Sequence, residues 1–522
     1  MILRLDNTNE LKEQGDDLNA ASADGKHAFI SYVREDKDEV DRLCRHLENA
    51  GIPYWRDRKD LAPGDKWKDK IRDAIASGSI AFLACFSEQS RAKEKSYMNE
   101  ELHLAVEQYR LRPPDRTWLI PVRFDSGDIP TWNLSTTDTL SDLDYADLFG
   151  TDYADNAIKL MEAVKRALGL TGIDSSTRRT ALEETSESDK PRSFRQLTKE
   201  LIRDRDREID LDDIVSAEVA RVRTAMRDAE RFPTDWKGGT NNQLALDGAQ
   251  AANDYWRLTE PFCWSLQVAA RYGTAETLTP WVKGLKAFAT EACKIAGGHT
   301  FLLHLRHVPS LVAVFVAAMA SSGQGKWDNF KTLLIDNTVT DRSYDAQPKL
   351  SMVETVNPYT PFDNDSITQL LVNALVMGQD LEATQAAIDR KEGMNYHTSS
   401  SAWLHRILRP IFDEQFPDDE DYDAAFDSTE VILGLVDQDL LNLRHGADQQ
   451  RQWLRETHWL GQSTWRSRRH GNPLEEFVDD LAKQYSSYAP LQAGLFGGGY
   501  ERAKTATEQY RESFNQMRNR FW

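Results

Sequence analysis

The sequence predicts two architectures in one chain: a five-stranded parallel α/β unit near the N-terminus, then a mainly α-helical region. Three observations predict them. Between residues 27 and 170, short apolar runs ending in Gly, Pro or Ser alternate with amphipathic stretches, the pattern of a parallel sheet covered by helices on both faces. Residues 171–195 turn polar, with Asp174-Ser175-Ser176-Thr177 and Glu183-Glu184-Thr185-Ser186-Glu187-Ser188, and read as a linker. Beyond residue 196 the alternation gives way to long amphipathic segments, with tryptophans recurring from Trp256 to Trp522.

The elements follow in order. Residues 1–26 are polar and read as a loose N-terminal tail. Strand one is 28–31, and 36–50 follows as a helix with Val40, Leu43, Cys44 and Leu47 at helical spacing and Gly51 as its stop. Strand two is 52–55, and a helix opening near Trp67 places Ile71, Ala74 and Ile75 on its buried face with that ring. Strand three, 80–86, is apolar on both faces and therefore central. Strand four, 118–122, follows the break at Pro113-Pro114; a weaker fifth strand falls at 139–143, and 156–168 closes the unit as a helix. In the flavodoxin-like order 2-1-3-4-5, ligands bind at the carboxyl ends of strands one and three, where winding reverses. That position puts Ser31 to Arg34 opposite Ser87, while Tyr97 and Glu101, four residues apart, share a helical face.

The runs His27-Ala28-Phe29-Ile30-Ser31-Tyr32, Gly51-Ile52-Pro53-Tyr54-Trp55, Leu61-Ala62-Pro63-Gly64-Asp65, Ile80-Ala81-Phe82-Leu83-Ala84-Cys85-Phe86-Ser87 and Tyr97-Met98-Asn99-Glu100-Glu101-Leu102 occur in the order of one family. Over residues 27–168 the chain resembles a Toll/interleukin-1 receptor (TIR) domain of the bacterial kind. The resemblance implies cleavage of NAD+ as substrate, with no cofactor besides it. Glu101 matches the family's catalytic carboxylate on the helix after strand three; the Trp usually found four residues earlier is Tyr97 here. Tyr32, Arg34, Asp57 and Trp67 match positions lining the nucleotide pocket, Arg34 as a phosphate partner and Trp67 as a stacking surface. Leu61, Pro63, Gly64 and Asp65 match a loop through which such domains self-associate.

One carboxylate suffices for that chemistry. Breaking the nicotinamide–ribose bond expels a neutral group from a cation, so no general acid is needed, in contrast to ordinary glycoside hydrolysis. A carboxylate beside the ribose stabilises the oxocarbenium-like transition state electrostatically. By the resemblance the chain is an NAD+ glycohydrolase whose helical region senses an unknown ligand or protein or drives assembly, in antiphage defence. The alternatives are a non-catalytic signalling adaptor, or an enzyme making a cyclic or base-exchanged ADP-ribose product. Without the resemblance, Trp67 reads equally as core, and Arg34-Glu35-Asp36 as a solvated helix start.

Composition narrows the partners. The chain has 522 residues and a formal net charge of −20, which argues against general electrostatic binding to nucleic acid. Cys44, Cys85, Cys263 and Cys293 show no CxxC spacing and read as reduced, buried thiols of a cytoplasmic protein. The start of the sequence has no charged-then-apolar signal pattern, and the apolar run 308–320 is too short to span a bilayer.

Residues 196–522 read as a sensor or oligomerisation region, with a division into two subdomains near residue 340. Helices are expected at 195–231, 244–272, 280–295, 310–321, 366–377, 381–391 and 449–456. Gly323-Gln324-Gly325-Lys326-Trp327 lacks P-loop spacing. His304 and His307, near His299, lack acidic or thiol partners at ligand spacing, and Gly497-Gly498-Gly499 reads as a plain loop. Asp419, Asp421, Asp423, Asp427 and Glu430 take positions 1, 3, 5, 9 and 12 of a calcium loop, but Ala424 stands where the turn needs Gly, so a solvated acidic loop is the expectation.

Overall fold

A computed structural model describes residues 26–56, 80–93, 95–110, 118–170, 172, 175–294, 297–340, 348–362, 386, 390, 398–445, 456–467 and 471–520. The chain divides into two units, Met1–Leu197 and Thr198–Trp522.

The first unit is built on five parallel strands: β1 (His27–Ser31), β2 (Tyr54–Trp55), β3 (Ile80–Phe86), β4 (Leu119–Arg123) and β5 (Ala146–Asp147), in the order β2-β1-β3-β4-β5. This is the order read from the sequence. From Ala81 to Phe86 every side chain of β3 is buried, as a strand with helices over both faces requires. Helix α1 (Lys37–Asn49) buries Val40, Leu43, Cys44 and Leu47. It ends because Gly51 takes a left-handed φ of 65°, letting the Ile52 amide turn back to the Leu47 carbonyl at 2.8 Å. Then come the short α2 (Glu88–Arg91), α3 (Tyr97–Tyr109) and α4 (Tyr153–Ala167).

Two expectations for this unit need correction. Residues 139–143 are not a strand. Thr139 and Asp142 cap one another across a 3-10 turn, with the Thr139 amide donating to the Asp142 carboxylate at 2.7 Å, while Leu140 plugs the core. The fifth strand lies later and is only two residues long, pairing Val122 with Ala146 and Arg123 with Asp147. Nor is 171–195 a plain linker: it contains α5 (Ser175–Glu183) and the first half of α6 (Lys190–Leu201). Helix α5 buries Thr177, Thr180 and Ala181, and just beyond it Glu184 takes Arg45 Nη2 on its carboxylate at 2.8 Å and Arg42 Nη2 on its carbonyl at 2.7 Å. The small Ser, Thr and Ala side chains that gave this segment a linker's composition are what let it lie close against α1.

The second unit is mainly helical: α7 (Glu208–Met226), α8 (Asn241–Tyr272), α9 (Thr279–Ala292), α10 (Thr300–Leu305), α11 (Val308–Ser322), α12 (Trp327–Phe330), α13 (Met352–Thr355), α14 (Ser399–Phe412), α15 (Asp419–His445), α16 (Gln462–Arg466), α17 (Pro473–Gln484), α18 (Ala489–Gln492) and α19 (Tyr500–Arg520). Near residue 340 a small antiparallel hairpin pairs Thr338–Thr340 with Lys349–Ser351. The run Thr300–Ser322 is long and apolar enough to cross a membrane, yet 83% of its most apolar 18-residue window is buried inside the protein, where α11 packs on α8 as a core helix. The helix expected at 366–377, that at 381–391 apart from Ala386 and Arg390, and all of 449–456 but Glu456 lie outside the described residues. Cys44, Cys85 and Cys263 are buried as expected, whereas Cys293 is exposed.

The acidic stretch 419–430 is the start of α15, not a loop. Asp423, Asp427, Glu430 and Asp437 recur at helical spacing and face a polar seam. Glu430 bonds the Ser401 hydroxyl and accepts from the Ser463 amide at 2.9 Å, Asp427 pairs with Arg466 at 3.3 Å, and Asp437 accepts from Thr457 at 2.7 Å. Burial pushes the Asp427 carboxyl up to about 8 and Asp437 up to about 7. Among the described residues no group of three His, Cys, Asp or Glu side chains is arranged to hold a metal ion.

Candidate active site

The carboxyl ends of β1 and β3 bring four polar side chains to one edge of the sheet. Ser31 closes β1 and is fully buried, opposite Ala84 in the parallel register. Its hydroxyl donates to Oε2 of Glu101 at 2.7 Å. Glu101 sits in the second turn of α3, a helix that starts at Tyr97 because the Ser96 side chain accepts the Asn99 amide at 3.2 Å. The helix is held against the sheet through Met98, Leu102, Ala105 and Val106. Glu101 lies at the margin of that apolar stripe, so its carboxylate is half-buried and points at the strand end.

Beside this pair lies a second. Asp36, at the end of the turn Arg34–Asp36, is buried, and the Ser87 hydroxyl lies 2.7 Å from each of its carboxylate oxygens. Burial raises the Asp36 carboxyl above its ordinary value, while the bond from Ser87 works the other way. Ser87 also accepts the Ser90 amide at 3.0 Å, capping α2 just beyond β3. Asp36 thus ties the loop after β1 to the end of β3. Asp36 is therefore not part of a solvated helix start; among its triplet only Arg34 and Glu35 are exposed, and Glu35 pairs with Lys93 at 2.5 Å.

The other site residues expected from the sequence divide into two groups. Tyr32 is half-buried, with its hydroxyl beside the Arg56 guanidinium, which pairs with Asp41 at 2.5 Å. Arg34 is exposed at the same strand end. Tyr97 shares the first turns of α3 with Glu101 but is 64% exposed. Asp57, Trp67 and the loop residues Leu61, Pro63, Gly64 and Asp65 lie outside the described residues. Sequence reasoning missed Ser31 as a partner of Glu101, and Asp36 with Ser87 as a pair. The signal available was the strand order, which sets both strand ends side by side.

Among the described residues this edge offers the half-buried Glu101 carboxylate on the Ser31 hydroxyl, the buried Asp36 carboxylate on the Ser87 hydroxyl, and Arg34 exposed after β1. An oriented carboxylate of this kind suits stabilisation of positive charge developing on a ligand.

Residues 28–161 match the family model of the TIR domain. A search of the curated proteins and a search of the solved structures returned no significant match.

Proposed function

From a chain that carries a TIR domain followed by a helical C-terminal region, we propose that this protein is an NAD+ glycohydrolase acting through Glu101. The observation that supports this reading is the 2.7 Å bond from Ser31, which fixes one carboxylate at the carboxyl edge of the parallel sheet, where open α/β sheets bind ligands. The bond from C1′ of the ribose to the pyridinium nitrogen breaks, its electron pair leaves with neutral nicotinamide, and water adds to C1′ with loss of one proton to give ADP-ribose. Glu101 stabilises the cationic ribose between these events. Arg34 takes the pyrophosphate, and Tyr32, Asp57, Trp67 and Tyr97 complete the pocket. Self-association through the Leu61-to-Asp65 loop, controlled by the helical region in response to a ligand or protein, switches the site on. The reaction draws on cytoplasmic NAD+ and serves antiphage defence.

The 64% exposure of Tyr97 favours one second reading, an adaptor in which the tip of α3 meets another TIR domain without catalysis. Chromatography of nucleotides after incubating concentrated protein with NAD+ separates the readings. Nicotinamide with ADP-ribose supports hydrolysis, and a cyclic product assigns cyclisation. Intact NAD+ in the presence of assembled protein favours the adaptor.

A further inference from the structure

The helical unit contains a cleft of about 290 Å³ between the end of α11, the start of α12, one face of α15, and α17. Three rings line it, Trp327, Phe477 and Tyr488, with Phe477 and Tyr488 edge-to-face at 5.5 Å. Its charged lining residues are both acidic: Glu476 and Asp480, one turn apart on α17.

The charge pattern of α17 singles out this pair. Glu475 and Asp479, one position earlier in each case, are neutralised by Arg511 at 2.9 Å and Lys483 at 3.4 Å. Among the described residues neither Glu476 nor Asp480 has an ion-pair partner. Glu476 lies in the first turn, where the helix dipole favours a negative charge. Asp480 lies beyond that turn, so the dipole gives no reason for it. Its charge adds to burial in pushing the Tyr488 hydroxyl up to about 12.

We propose that this cleft binds a small organic cation, a protonated amine or quaternary ammonium carried on an apolar body. The ammonium sits between Glu476 and Asp480, and the body lies against Trp327, Phe477 and Tyr488. Aromatic faces attract a desolvated cation, and a cleft walled by one sign of charge concentrates its counterion. The size is near the lower end for small-molecule pockets, so a compact ligand fits and a folded partner does not. Anions, including dinucleotides, are repelled.

Isothermal titration of the full chain with phenethylammonium chloride tests this, with 2-phenylethanol as the neutral match of similar shape. The expected result is saturable binding of the ammonium, weakened by added NaCl, and at least about tenfold weaker binding of the alcohol. The double variant Glu476→Gln, Asp480→Asn should lose about tenfold in affinity for the ammonium, since only its charge partners are removed. Ser428→Trp, at an exposed position that lines the cleft from α15, should fill the space and abolish binding. Thermal melts establish that each variant folds; should the Trp variant melt early, the double variant, altered only at exposed side chains, decides. No binding of the ammonium at millimolar concentration, equal binding of the alcohol, or unchanged affinity in the double variant overturns the proposal. None of these measurements involves NAD+ turnover, so the outcome is independent of the function proposed for the TIR domain.

Discussion

Ser31 and Glu101, 70 residues apart in sequence, meet through one hydrogen bond of 2.7 Å. Ser31 is fully buried at the end of a strand paired on both sides, so its hydroxyl direction is set by the sheet rather than by a mobile loop. Glu101 lies at the margin of its helix's apolar stripe, half-buried. The bond therefore transmits the rigidity of β1 to the carboxylate, and a carboxylate that must face developing charge gains from being held before substrate arrives.

Glu101→Gln should cut NAD+ cleavage at least about a hundredfold, about 2.7 kcal/mol of transition-state stabilisation, while leaving the melting temperature nearly unchanged. The amide keeps the shape and the bond from Ser31 but removes the charge. Glu100→Ala is the control, since that exposed side chain is rotated away from the strand end. Near wild-type turnover in the Gln variant would remove Glu101 as the reaction centre.

Ser31→Ala should lower kcat about tenfold, with a smaller effect on KM, because the carboxylate stays and only its orientation is freed. Steady-state kinetics on a variant of unchanged melting temperature reads this directly. An equal loss in KM at unchanged kcat would instead place Ser31 among substrate contacts.

The sequence makes some of this legible and hides the rest for physical reasons. β3 is readable because both of its faces are buried, which leaves a continuous apolar run from Ala81 to Phe86. β5 is hidden because two residues carry no period, and Thr139 to Leu143 imitates a strand by alternation while closing into a capped turn. Asp36 is hidden by its charged neighbours: a carboxylate buried on a helix-capping serine 51 residues away looks, in one dimension, like any solvated Asp. The same blindness turned the start of α15 into a loop. Asp423, Asp427, Glu430 and Asp437 occupy inward positions of a helix, and hydropathy cannot recognise an inward face made of carboxylates paired with Ser401, Thr457 and Arg466. Glu101 became legible only through resemblance, since nothing local separates it from Glu100.

His46 should make the TIR domain sensitive to mild acid. Its imidazole is fully buried, 2.9 Å from the Tyr153 hydroxyl, and burial holds its pKa down to about 4 from the usual 6.5; Glu184 opposes this, and Arg42 and Arg45 reinforce it. Between those values the unfolded chain binds a proton that the folded one refuses, so this contribution to stability is complete above about pH 6.5 and is lost as pH falls toward 4. The loss between pH 7 and 5 is roughly 2 kcal/mol. In His46→Gln the difference between melts at pH 7 and pH 5 should shrink accordingly, and an unchanged difference would assign the acid sensitivity to other groups.

If Arg34 takes the pyrophosphate as proposed, Arg34→Ala should raise KM for NAD+ about tenfold without lowering the melting temperature, because the side chain is exposed. Trp67→Ala should weaken NAD+ use in the same way if that ring stacks on the nucleotide. A large drop in melting temperature for the Trp67 variant would assign the ring to the core.

Turnover should depend on protein concentration. The candidate site lies at the open edge of a sheet, its carboxylate is half-buried rather than enclosed, and Tyr97, four residues before Glu101, stands 64% exposed. A neighbouring TIR domain packed against that edge would cover the ring and exclude water, which strengthens every electrostatic interaction at Glu101. Tethering TIR domains to helical regions that assemble raises their effective concentration without any new contact at the site. Specific activity should therefore rise with protein concentration, and substitutions at Leu61, Pro63, Gly64 or Asp65 should lower assembly, read by light scattering, and turnover together. A monomer with full, concentration-independent activity would sink this scheme while leaving Glu101 as the reaction centre.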